Sequence, residues 1–224
     1  MDLSPIIISM KTACTAIFFT FFLGLLVALV AVRLKSEKIK MVLDGVLTLP
    51  MVLPPTVAGF FLLFIFGQKR PVGIFLHSIG IKIVFNWTAT VIAAVVIAFP
   101  LMYRSARGAF EQVDENLIYA GRTLGMSEWE IFWRVIMPEA LPGVLSGGIL
   151  AFARGLGEFG ATAMIAGNIA GKTRTLPLAI YSAVAGGNME EAYGYVAILV
   201  VFSFVIVVLM NVFANGRRKG RKHG

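Results

Sequence analysis

Arg154 and Glu158 stand four residues apart in a stretch otherwise made of Ala, Gly, Leu and Phe. That spacing puts both on one face of a helix, where they can form an ion pair. Ionisable side chains at membrane depth are costly unless paired or wet, so such a pair serves either a solute path or the packing of a bundle, and both readings stand. Thr162, which closes the same stretch, and the prolines Pro54 and Pro55 complete the candidate path or gate residues. Further on, Lys172, Thr173, Arg174 and Thr175 offer donors that suit an oxyanion or an acidic partner surface, with a solvated loop as the plainer alternative.

Catalysis finds no comparable set. A hydrolase would need a nucleophile with a base, or a metal cluster, yet His77 and His223 are far apart and Cys14 lies alone inside an apolar run. Gly155-Leu156-Gly157-Glu158-Phe159-Gly160 matches the G-x-G-x-x-G pattern of dinucleotide sites. It interrupts an apolar helical stretch instead of following a strand, and no acidic residue follows at the expected distance. No G-x-x-x-x-G-K-[ST] phosphate loop occurs either. The chain is expected to carry no catalytic residue, metal or cofactor of its own, and any ATP hydrolysis must come from another chain.

The elements that position these residues are set by composition. Of 224 residues, 58% are hydrophobic and 14% charged, against about 45–50% and about 25% in soluble domains. Lipid is the expected solvent, and about 20 apolar residues make one crossing. Uncharged runs place spans at about 12–32, 46–67, 83–103 and 193–214, with a fifth at 140–167 that contains Arg154 and Glu158. The expected fold is an all-α polytopic membrane protein of five transmembrane helices in one transmembrane domain, 1–224. The first run is too long for a signal core and lacks a small-residue cleavage pattern, so it reads as a retained span.

The net charge of +8 reflects topology better than nucleic acid, because the basic residues cluster at the ends of apolar runs. With five spans, one side collects Arg33, Lys35, Lys38, Lys40, Arg104, Arg107, Arg122, Arg134, Arg217, Arg218, Lys219, Arg221 and Lys222. The other has Lys11, Lys69, Arg70, Lys82, Lys172 and Arg174. The positive-inside rule then puts the amino terminus outside and the carboxyl terminus in the cytoplasm. Within the second span, Pro50, Pro54 and Pro55 remove backbone donors and must kink or break the helix. The freed carbonyls favour a place inside the bundle or beside a wet cavity, and a merely structural bend is the alternative.

On the cytoplasmic side, residues 114–138 read as helix, glycine turn, helix. Asp114 suits an N-cap, Gly125 a left-handed stop, and Ser127-Glu128-Trp129-Glu130 a capping box flanked by Met126 and Ile131, with the second helix running to Pro138. Two amphipathic helices of this kind can lie in the bilayer interface. Their spacing is more particular: Tyr119-Ala120-Gly121, three residues, Gly125, nine residues, then Val135-Ile136-Met137-Pro138. This resembles the EAA loop of ABC importer permeases, with Tyr119 in place of its Glu, Gly121, Val135 and Met137 as further replacements, and Ala120, Gly125 and Pro138 matching. The resemblance implies a coupling helix that sits in a cleft of a separate ATPase.

Longer stretches narrow the family. Leu49-Pro-Met-Val-Leu-Pro-Pro-Thr-Val-Ala-Gly, Ala120-Gly-Arg-Thr-Leu-Gly, Leu150-Ala-Phe-Ala-Arg-Gly-Leu-Gly-Glu-Phe-Gly-Ala-Thr and Lys172-Thr-Arg-Thr-Leu-Pro are similar to the molybdate permease subunits. The resemblance implies a type I ABC importer permease fold in the cytoplasmic membrane and import of the molybdate dianion. It implies as partners a second copy of the chain, two ATP-binding-cassette ATPase subunits that carry the ATP and magnesium, and an extracytoplasmic molybdate-binding protein, with no nucleic acid. Tungstate and sulfate are the competing substrates. A self-sufficient secondary transporter would show two similar halves and more intramembrane carboxylates than Glu158.

Overall fold

The computed structural model describes residues 1–216, and the side chains of residues 1–209, so the basic tail that weighs in the charge count lies outside the described residues. Described residues form helices and connecting loops, with no strand among them. Four helices are long and apolar enough to cross a membrane, and a bent pair makes a fifth candidate.

The bundle is centred on three of them: α1 (Ser4–Arg33), α5 (Trp87–Glu111) and α8 (Met137–Leu156). Their contacts are made by small residues. The inner face of α1 carries Ala13, Ala16, Gly24, Ala28 and Ala31 at intervals of three to eight residues, all buried. A Cβ on Gly24 would lie 2.6 Å from Cγ of Met102 on α5. On α8, a Cβ on Gly143 would meet Cβ of Ala109 at 2.6 Å and one on Gly147 would fall against Cβ of Ser105. Helices in lipid gain little from burying apolar surface against each other, so close backbone approach through such residues is what holds them. The outer face of α1 presents Phe18, Phe19, Phe22, Leu23 and Leu26, all exposed, which suits lipid contact. This helix begins eight residues before the expected span, because Pro5 occupies a first-turn position that needs no donor.

The second expected span is two helices, α2 (Glu37–Val52) and α3 (Pro55–Phe66), joined at 110°. Helix α2 absorbs Pro50 internally, but Pro54 and Pro55 together end it: Pro54 is extended with φ −53° and ψ 135°, and Pro55 starts the next helix. A short helix α4 (Pro71–Ser78) follows. The span expected at 140–167 also differs. Helix α8 closes at Gly157, and a separate α9 (Gly160–Ala166) follows. Arg154 and Glu158 therefore do not share one continuous helix.

Between α5 and α8 stand α6 (Glu115–Thr123) and α7 (Glu128–Ile131). The second elbow helix does not stop at Pro138. A π-helical turn over Phe132–Ile136 joins α7 to α8, with Met137 N–H bonded to the Phe132 carbonyl, and Pro138 falls in the first turn of α8. The described residues close with α10 (Leu176–Ala185), inside a segment that carried no helix expectation, and α11 (Met189–Gly216).

Helices α3 and α9 press together through glycine. A Cβ on Gly59 would lie 2.6 Å from Cα of Ala161 and 2.9 Å from its carbonyl oxygen, which is backbone and cannot step aside. Gly59→Ala should therefore cost about 1–3 kcal/mol through overpacking and lower the thermal midpoint of the purified protein. Gly45→Ala, where a Cβ meets nothing within 4 Å, should not lower it, and equal behaviour of the two variants would refute the contact.

Candidate functional site

Two assemblies carry the candidate residues: a crossing of broken helices and an elbow. At the crossing, the Pro54–Pro55 corner sits against the start of α9, where a Cβ on Gly160 would lie 3.1 Å from Cβ of Pro55 and from the Thr56 nitrogen. Glu158 occupies the gap between α8 and α9. One carboxylate oxygen accepts from Arg154 Nη1 at 2.8 Å and the other from the Ala161 backbone N–H at 2.8 Å. The Glu158 side chain is 1% exposed and that of Arg154 33%. The carboxylate thus ties the end of one helix to the start of the next, while the guanidinium keeps access to its surroundings. Thr162 is buried on α9. Pro54, Pro55, Glu158 and Gly160 are brought to one place by the two breaks, though the breaks lie over 100 residues apart in the chain.

The elbow is built from local signals. Asp114 accepts from the Asn116 N–H at 2.9 Å and caps α6. Its carboxyl end closes with Leu124 N–H on the Ala120 carbonyl and Met126 N–H on the Gly121 carbonyl, at 3.0 and 3.1 Å. Gly125 carries the reversal at φ +77°, a conformation that costs an L residue roughly 1–2 kcal/mol. Ser127 and Glu130 form the reciprocal capping box of α7. Arg122 and Glu128 brace the two helices at 2.7 Å, and that hydrogen bond raises the Arg122 pKa.

The seven elbow candidates divide by role. Tyr119, Ala120 and Gly125 are exposed, as are Leu124 at 80% and Trp129 at 70%. Gly121 is internal: a Cβ there would touch Ile131 Cγ1 at 3.1 Å and Met126 Sδ at 3.5 Å. Val135 and Met137 are half-buried, Met137 against the central core, and Pro138 is exposed. Gly121 therefore sets how closely the two elbow helices approach, while Tyr119, Ala120 and Gly125 present the surface.

The loop candidates separate similarly. Thr173 is fully buried, and its hydroxyl accepts from the Ile169 N–H at 3.0 Å. Arg174 Nε donates to Asn168 Oδ1 at 2.8 Å. Thr175 is buried, and beside it Leu176 N–H donates to Ser9 Oγ at 2.7 Å, tying the loop to α1. Lys172 is exposed and Arg174 half-buried, so these two, and not the threonines, face outward as donors.

One cluster escaped the sequence reading. Asp44 on α2 accepts from the Tyr103 hydroxyl and from Arg107 on α5. Arg107 Nε also donates to Glu111 at 2.9 Å, and Lys40 reaches Glu111 at 2.8 Å. The available signal was that Asp44 is the one charge in the run from Met41 to Phe66.

Residues 20–218 match the family described as "Binding-protein-dependent transport system inner membrane component". The putative molybdenum transport system permease protein YvgM of Bacillus subtilis is 42% identical over 205 residues, 91% of this chain and 90% of that protein. The molybdenum transport system permease protein ModB of Haemophilus influenzae is 37% identical over 97% of this chain and 95% of its own. In fold, the chain resembles a subunit of the MetNI methionine ABC transporter in an inward-facing conformation, with a TM-score of 0.74, 19% identity, and 95% and 94% of the two chains covered.

Proposed function

The chain belongs to the binding-protein-dependent transport system inner membrane component family, and from that premise we propose that it is the permease subunit of an ATP-driven importer of molybdate. The observation that carries this reading is the elbow: a capped, glycine-reversed pair of short helices whose exposed face holds Tyr119, Ala120, Leu124 and Gly125. A face of that kind, braced by Arg122 and Glu128, suits docking into a separate ATPase. The substrate follows from kinship to proteins named as molybdenum permeases over nine tenths of the chain.

In this reading the protein works as two copies with two ATPase subunits, which hold ATP and magnesium, and with an extracytoplasmic binding protein that delivers the oxyanion. The elbow faces the cytoplasm and the amino terminus lies outside. ATPase closure moves the elbow, and because α6 follows directly on α5 and α7 runs through the π turn into α8, the motion enters two helices of the central trio. The broken-helix crossing, with Arg154 one-third exposed, supplies a cationic donor for a dianion in transit, and Lys172 and Arg174 meet the delivering protein.

Uptake by proteoliposomes tests this. Vesicles holding the chain with its ATPase and binding protein should accumulate radiolabelled molybdate only with ATP inside, and unlabelled molybdate or tungstate should compete better than sulfate. Sulfate competing best would overturn the substrate, and uptake without the ATPase would overturn the importer reading in favour of secondary transport.

A further inference from the structure

Helix α2 is held to the bundle by few apolar contacts. None of its residues is buried, and only Leu43 and Leu47 rest half-buried on the central core. Its polar hold on α5 is the junction of Asp44 with Tyr103 and Arg107, with Lys40 and Glu111 beside it. A cavity of about 350 Å³ lies between the helices at this point, lined by Asp44, Gly45, Thr48, Arg104, Arg107 and Gly108. A Cβ on Gly45 would touch nothing within 4 Å. Interlocked small-residue contacts of the kind that join α1, α5 and α8 resist separation. Charged groups that line a cavity open to water can part at lower cost than charges sealed in the interior.

The junction lies between the two assemblies described above. Glu111 is the last residue of α5, three before the Asp114 cap of the elbow, while α2 ends at the Pro54–Pro55 corner against α9. A helix of 16 residues is about 24 Å long, so a tilt of about 10° at one end moves the other by about 4 Å. We propose that the Asp44–Arg107–Tyr103 junction, with Lys40–Glu111, is a releasable latch. It seats α2 on α5 in the state seen here and lets it tilt in another, so that movement at the elbow opens or closes the Pro54–Pro55 corner. The latch rests on the importer reading, since it needs an elbow driven by nucleotide.

Distance measurement in the assembled complex tests it. In a Cys14→Ser background, with only one of the two copies of the chain labelled, spin labels at Met41→Cys and Gln112→Cys report the α2–α5 separation by pulsed electron resonance, with and without ATP. Wild-type latch residues should give two separations whose populations exchange with nucleotide. Asp44→Asn should leave the longer one dominant under both conditions and reduce uptake at least tenfold. Asp44→Arg with Arg107→Asp should restore the nucleotide dependence, which a merely destabilised helix would not. Tyr103→Phe, which removes one donor and little volume, should shift the populations in the same direction by about threefold. A single separation that neither nucleotide nor Asp44→Asn alters, in a complex that still imports, would overturn the latch alone. A wild-type complex that imports no oxyanion would instead bring down the importer reading on which it stands.

Discussion

Glu158→Ala should reduce ATP-driven uptake at least tenfold while the ATPase still co-purifies with the chain. The glutamate is 1% exposed at its side chain and accepts from both Arg154 and the Ala161 N–H. Its loss leaves the partly exposed guanidinium without its anion and the buried Ala161 N–H at the start of α9 without its acceptor, and an unmet buried donor costs about 1–3 kcal/mol. Since about 1.4 kcal/mol is a factor of ten in an equilibrium, the junction between α8 and α9 should not hold its geometry. The elbow is built from its own caps and braces, so ATPase binding should be spared. Glu158→Gln keeps an acceptor for Ala161 and isolates the charge. Combining it with Arg154→Met removes both charges, which is often nearly neutral when a pair serves packing alone. Recovery of uptake in the double variant would make the pair structural, and continued loss would put the guanidinium on the solute path. Normal uptake by Glu158→Ala would remove the crossing from consideration.

Gly125→Val should weaken ATPase association tenfold or more without affecting membrane insertion. Space is not the obstacle, because a Cβ there would meet nothing within 4 Å. The obstacle is the backbone at φ +77°, which costs roughly 1–2 kcal/mol for an L residue and more for a β-branched one. A valine would open the turn and swing α6 away from α7, dispersing the face formed by Tyr119, Ala120 and Leu124. Asparagine tolerates the left-handed region, so Gly125→Asn should retain most of the association and Gly125→Ala should fall between. Co-purification of the ATPase with each variant measures the series, and equal recovery for valine and glycine would count against the elbow as the docking element.

Much of the elbow was legible in the primary structure because its signals act over a few residues. The Asp114 cap, the Gly125 reversal and the Ser127–Glu130 box each join groups no more than five residues apart, and each appears as expected. The proline break was equally plain, since Pro54 and Pro55 lack the donors a helix needs. The end of α8 at Leu156 was not. Apart from Arg154 and Glu158 the residues of 140–167 are uncharged, and glycine is frequent in lipid-spanning helices, so the glycines at 155, 157 and 160 do not mark a break. Thr173 and Thr175 looked like free donors because a loop sequence does not tell which hydroxyls its own backbone occupies; the Thr173 hydroxyl is taken by Ile169 and Thr175 is buried.

By itself the amino-acid sequence determined an all-helical membrane chain, the approximate places of its long apolar helices, the Pro54–Pro55 break and a capped elbow, because solvent preference and backbone chemistry are read within one or two turns. Tertiary structure alone decided that Asp44 meets Arg107 across 63 residues, that Gly59 lies on Ala161, and that Glu158 bridges a gap and not a helical face. Hydropathy says that a helix lies in lipid but not which neighbour it touches or at what height. Those are settled by how glycine and alanine on one helix register with those on another, a relation between distant segments that no local pattern contains.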